Sequence, residues 1–241
     1  MVQTALENYH DGGSCSSHSH EVCDNIPGRD GHMVGVVGPN AITQVAGVLS
    51  EARGEALCRD IFRAAGLEAM LDTPPHQMVS QWQVARLQRA VRDMLPEADA
   101  NARFARAGQK TADYVMANRI PGLVCRILIA LPPSLAGPLL SHAIGKHAWT
   151  FAGAGTFSID WGGMARSPIA TVEITGCPLA ILQERPEPVC HLYAFTFEHL
   201  FRTLVSPRIV VEETHCIARG DRVCRFALRQ FHATRETRTN S

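Results

Sequence analysis

The sequence has no surplus of either charge, since 23 lysines and arginines balance 23 aspartates and glutamates over 241 residues. A nucleic-acid binder needs a cationic excess to neutralise phosphates, so composition argues against a nucleic-acid partner. Aromatic residues are scarce, at 6%. Long apolar runs are missing too: the longest, Leu123 to Leu131, is interrupted by Arg126 and falls far short of the roughly 20 residues that cross a bilayer. The first 33 residues lack the apolar core of a secretory signal, being rich in Gly, Ser, His and Asp. We therefore expect a chain that is not transmembrane and lies in the cytoplasm. In that reducing compartment its 8 cysteines are expected to be metal ligands or buried thiols rather than a disulfide framework.

What is present is enough for a core, with 46% of residues hydrophobic. The layout changes along the chain. Residues 1–33 read as a polar tail in which Cys15, His18, His20 and Cys23 have a spacing able to clip a metal. Residues 34–149 read as helical. Asn40 is placed to cap a segment carrying Ile42, Val45 and Leu49 on one face, and Gly54 and Gly66 bound the next apolar stripe. Ser80 is placed to cap another helix, which Pro96 stops. An Ala-rich helix then runs to Asn118. Leu123 to Leu131 reads as a buried helix or strand, ended by Pro132 and Pro133, and 135–149 as a helix.

From 150 the period shortens. Thr150–Trp161 and Ile169–Thr175 read as strands, and Pro188 starts a helix to Leu204 that is apolar almost all round, hence buried or lining a cavity. Arg208–Ile217 and Arg222–Leu228 read as two strands joined at Arg219-Gly220-Asp221. Residues 150–229 form an α+β part, and 230–241 a second polar tail.

Four cysteines fall in this part: Cys177, Cys190, Cys216 and Cys224. Cys216 and Cys224 stand four positions either side of Gly220, so a hairpin centred there opposes them at about 4.5–5.5 Å between Cβ atoms. Two such thiolates can share a tetrahedral zinc, with Cys190 as a third ligand if the apolar helix packs beside the hairpin. Glu212, Glu213 and His215 are candidates for the fourth. Strict alternation puts Glu212 on the face of Cys216, and only a bulge or strong twist would bring Glu213 there. The bland alternative is a set of small buried thiols.

The run Glu213-x-x-Cys216-x7-Cys224-x-Phe226, closing a unit that begins at Cys190, resembles the 4-vinyl-reductase domain family. The resemblance is clearest over 150–229 and looser from 39. It implies an antiparallel sheet packed against helices around an apolar cavity, similar to the ligand-binding fold of nitric-oxide-signalling and Golgi-transport proteins. It also implies a structural zinc held by Cys190, Glu213, Cys216 and Cys224, in place of Glu212, and a homodimer. The entry Val37-Gly38-Pro39-Asn40-Ala41-Ile42 and the absence of an activator ATPase or DNA-binding domain resemble the family's bacteriochlorophyll-synthesis branch rather than its sensors.

Reduction of a tetrapyrrole vinyl group needs a hydride donor. Gly153-Ala154-Gly155 begins a G-x-G pattern, but Ser158 stands where the third glycine belongs and no helix is expected after it, so this reads as a strand turn. The expected function is accordingly a carrier holding a magnesium-porphyrin or chlorophyllide intermediate. The alternatives are an 8-vinyl (4-vinyl) reductase and a free-standing small-molecule sensor. Expected partners are the pigment intermediate and magnesium chelatase or another pathway enzyme, on the periphery of the photosynthetic membrane. The pocket is expected between the 192–204 helix and the 123–149 region. His142, His147, His191 and His199 are candidate axial ligands, and Arg126 and Lys146 candidate partners of the propionates.

Overall fold

The structure is a computed structural model that describes residues 35–230; the Cys15–Cys23 cluster and the end of the C-terminal tail lie outside the described residues. Two short strands, β1 (Val36–Val37) and β2 (Val79–Ser80), pair antiparallel at the entry. Between them run α1 (Asn40–Arg53), α2 (Glu55–Ala64) and a single turn, α3 (Ala69–Asp72). Asn40 is the first residue of α1 rather than its cap. That position belongs to Pro39, whose φ of −61° already suits a helix, and no side chain bonds to the terminal N–H groups there. Ser80 does cap α4 (Gln81–Met94), taking the Trp82 N–H at 3.2 Å while Gln83 Oε1 takes the Ser80 N–H at 3.0 Å.

Helix α5 (Glu97–Asn118) has Glu97 and Asp99 in its first turn, where carboxylates favour the helix dipole. Two further helices come next, α6 (Gly122–Ala130) and α7 (Pro133–Lys146), separated by the Pro132-Pro133 break, and a 3-10 turn at Ala148–Thr150 ends the helical half. The second half holds β3 (Phe157–Trp161), β4 (Ala170–Ile174), α8 (His191–Leu204), β5 (Ile209–His215) and β6 (Cys224–Gln230). These four strands form one antiparallel sheet in the order β3-β4-β6-β5.

The architecture is thus α+β, an antiparallel sheet packed against helices. Helix α8 lies between the sheet and α5. Its contact with α5 is close enough that a Cβ on Gly108 would sit 2.4 Å from the Leu192 carbonyl oxygen, and Thr196 Oγ1 donates to the Gly108 carbonyl across the gap at 3.1 Å. Phe62, Phe104, Phe201 and Phe226 are fully buried, each contributing about 1.5–3 kcal/mol by leaving water.

One expectation fails plainly. The 123–131 segment is a helix, but it is not buried: Leu128 alone of α6 is buried, while Leu123 is 63% and Ile129 60% exposed. Periodicity does not distinguish a core helix from one whose apolar sides face outward.

Candidate metal centre

Four donors meet at one end of α8. Cys190 stands at the N-terminal cap of α8, Glu213 in β5, Cys216 just after it, and Cys224 opens β6. One donor atom from each lies within 4.8 Å of all the others. The Sγ atoms of Cys190 and Cys224 are 3.5 Å apart, and those of Cys224 and Cys216 4.0 Å. Thiolates on a tetrahedral zinc at about 2.3 Å stand roughly 3.8 Å from one another, and these separations bracket that edge.

A bulge makes the set possible. Glu213 pairs with Phe226 and His215 with Arg225, leaving Thr214 without a counterpart. The extra residue resets the alternation, so Glu213 and Cys216, three apart, both face the interior beside Phe226 and Cys224. Glu212, which regular alternation favours, is exposed and pairs with Arg229 at 3.4 Å. His215 lines the outer face of the sheet. Beyond the bulge the turn is tied down from within: the Cys216 N–H donates to Asp221 Oδ2 at 2.8 Å and the Ile217 N–H to Cys224 Sγ at 3.4 Å.

The donors fit a metal better than they fit one another. Glu213 Oε2 accepts the Cys190 N–H at 2.7 Å, but its Oε1 is buried with no partner. Burial, reinforced by the Cys216 thiol, pushes the Glu213 carboxyl up to about 8. Burial and the surrounding thiols hold Cys190 well above the usual thiol range. A cation that replaced these protons would satisfy the orphaned oxygen and remove the penalty, and a thiolate-rich set suits zinc.

Sequence reasoning placed Cys177 in the neighbourhood without assigning it. Its Sγ lies 3.6 Å from that of Cys190, outside the four-donor set. Burial raises this thiol, but hydrogen bonds from Cys190 and Cys224 bring it down to about 6. Arg92 was missed entirely. It is buried in α4, donates to the Val189 carbonyl at 2.6 Å and to Asn101 Oδ1 at 2.7 Å, and so fixes the approach to Cys190. A lone arginine in an amphipathic helix gives no signal of this.

The five candidate pigment ligands do not converge. His191 is half-buried beside Arg92, with its Nδ1 buried and unpartnered, and burial lowers its pKa. His199 bonds Asp113 Oδ1 at 2.7 Å and lines a groove of about 350 Å³ with Phe195, Glu198 and Arg202. His142 and Arg126 are placed on α7 and α6, His142 exposed and Arg126 on the outward side, and His147 is exposed just past α7. Between α8 and the region before it, aromatic rings occupy the place of the expected hollow. Phe151 meets Phe157, Tyr193 and Phe197 edge-on at 5.2–6.0 Å, and Trp161 stacks on Phe201 at 6.2 Å, seated over Gly137. A larger concavity of about 670 Å³ lies on the polar outer face of the sheet, lined by Ser158, Asp160, Glu173 and Arg225 among others. The Gly153-Ala154-Gly155 segment is a packing turn: Gln81 Oε1 accepts the Ala154 N–H at 2.8 Å, and a Cβ on Gly155 would collide with the Thr175 carbonyl.

The vinyl-4-reductase domain family matches residues 170–230, a span that contains all four donors. Over 192 residues the chain is 41% identical to the bacteriochlorophyll synthase 23 kDa chain of Cereibacter sphaeroides, covering 80% of this chain and 89% of that one. The chain belongs to that family. The 23 kDa chain of Rhodobacter capsulatus is 39% identical over 193 residues, 80% of this chain and 86% of the relative. A solved vinyl-4-reductase family protein from Methanocaldococcus jannaschii aligns with 75% of this chain and 99% of its own at 15% identity and a TM-score of 0.35. The family inferred from the Glu213-x-x-Cys216 run is therefore the one the comparisons find.

Proposed function

We propose that the chain serves bacteriochlorophyll synthesis as a tetrapyrrole-binding protein, holding a porphyrin or chlorophyllide intermediate for a pathway enzyme on a framework pinned by structural zinc. Kinship with the 23 kDa chains of bacteriochlorophyll synthase over 80% of the sequence is the observation that carries the pathway. Cys190, Glu213, Cys216 and Cys224 would fill all four positions of a tetrahedral zinc. Such a centre is closed: it crosslinks α8 to the β5–β6 hairpin and leaves no position for a substrate or an activated water.

The pigment's seat on this reading is the outward side of α7. Leu135, Leu139, His142 and Lys146 recur at spacings of 4, 3 and 4 along one helical face, and all four are exposed. The leucines offer apolar contact to a flat macrocycle, the His142 imidazole an axial ligand for its metal, and Lys146 with Arg126 cations for its propionates. His199 is less suited because Asp113 already engages its ring, and His191 because it is packed inside.

Titration with magnesium protoporphyrin, followed by its Soret band, tests the reading. A saturable 1:1 shift that His142→Ala weakens at least about tenfold supports it. No spectral change with the wild-type chain would overturn it. Loss of the vinyl group when reduced nicotinamide is added would replace the carrier with the reductase.

A further inference from the structure

The helical pair α6–α7 breaks the ordinary rule for surfaces. Leu123, Val124, Ile127 and Ile129 of α6, Leu135 and Leu139 of α7, and Trp149 just beyond are all exposed, the last to 61%. The two helices pack on one another and on α8, so their outward sides form the patch. Clustered exposed groups of this size mark an interaction surface rather than chance.

The charge around the patch identifies the partner. No aspartate or glutamate occurs between Asp113 and Asp160, while Arg119, Arg126 and Lys146 lie within that interval, together with His142 and His147. Among the described residues neither Arg126 nor Lys146 is paired with a carboxylate. A surface that is apolar and exclusively cationic complements the headgroup region of an anionic bilayer. It complements a second copy poorly, because a two-fold contact would bring the same cations face to face. The helices suit a parallel seat on the surface: α6 has 9 residues and α7 has 14, and among the described residues no helix is long and apolar enough to cross a membrane. Trp149 sits where an interfacial indole is favoured.

We infer that α6, α7 and Trp149 form a docking surface for anionic phospholipid membranes. The inference goes beyond pigment binding and does not require it. The shared face would place His142 at the headgroup level, where an amphiphilic tetrapyrrole itself partitions.

Flotation of the full, zinc-loaded, pigment-free chain tests it. The chain should float with vesicles of equal parts phosphatidylcholine and phosphatidylglycerol, not with phosphatidylcholine alone, and raised salt should release it. Leu139→Glu should abolish flotation and Arg126→Glu should weaken partitioning at least about fivefold, with metal content and circular dichroism unchanged. Trp fluorescence should shift to the blue on binding, and Trp149→Phe should remove the shift. Absence of flotation overturns the inference, as does flotation indifferent to both charge and Leu139. Sedimentation as a dimer that Leu139→Glu splits, without vesicle binding, assigns the face to a second copy instead. No pigment is present, so failure here leaves the Soret titration untouched, and failure of that titration leaves flotation untouched.

Discussion

Two regions that adjoin α8 break the inside–outside rule in opposite senses. At its N-terminus the protein buries a carboxyl and four thiols, with one carboxylate oxygen left unpaired. On α6 and α7 it exposes leucines and isoleucines that would normally be hidden. Each arrangement is costly for the chain alone, the first through desolvation and the second through apolar hydration. Both costs are met by something outside the polypeptide: a metal ion at the sulfur cluster, and an apolar, anionic surface or flat ligand at the helical pair. The buried region should therefore govern stability, and the exposed region binding.

The largest expected effect comes from removing a ligand in the buried region. Cys224→Ser, or prolonged chelation of the wild type, should cost more than about 4 kcal/mol in urea unfolding, because structural metal binding is folding free energy. Cys177→Ala, whose sulfur is 3.6 Å from Cys190 yet outside the donor set, should keep its metal by elemental analysis. If Cys177→Ala loses the metal and Cys224→Ser keeps it, the donor set is misassigned.

A smaller effect concerns pH. Burial raises the Glu213 carboxyl from 4.5 to about 8, so its protonated form contributes stability that is complete below about pH 4.5. That stability is lost as pH rises through about 8. In metal-free protein the wild type should accordingly lose stability relative to Glu213→Gln over this window. With zinc bound the order should invert, since the carboxylate is then a ligand and the glutamine a poor one. Unfolding midpoints measured at pH 5 and pH 8, with chelator and with zinc, read the sign directly. An unchanged order would remove Glu213 from the centre.

The smallest stability effect should appear in the exposed region. Leu139→Ser removes an exposed side chain and should shift unfolding by no more than about 0.5 kcal/mol, while vesicle and porphyrin binding fall together. A loss of stability comparable to that of Cys224→Ser would erase the contrast between the two regions.

Much of the fold was legible because it rests on local chemistry. The Ser80 cap, the Pro132-Pro133 break, the Gly54 and Gly66 stops and the hairpin around Gly220 depend on residues within a few positions of one another. The spacing of Cys216 and Cys224 indicated a shared site for the same reason, and the family pattern added Glu213. Asn40 misled because Pro39 pre-empted its place. The choice between Glu212 and Glu213 could not be made from alternation, since one unpaired residue, Thr214, reverses the parity.

The sequence by itself determined the order of helices and strands, the position of their breaks and the residue types able to hold a metal, because these depend on dihedral preferences and short-range hydrogen bonds. Tertiary structure alone decided the bulge at Thr214, the seating of Arg92 behind Cys190, the filling of the α8 interface by aromatic rings and the outward turn of α6. Those depend on which distant segments meet, and a helix cannot encode in its own apolar period whether a neighbour will cover it.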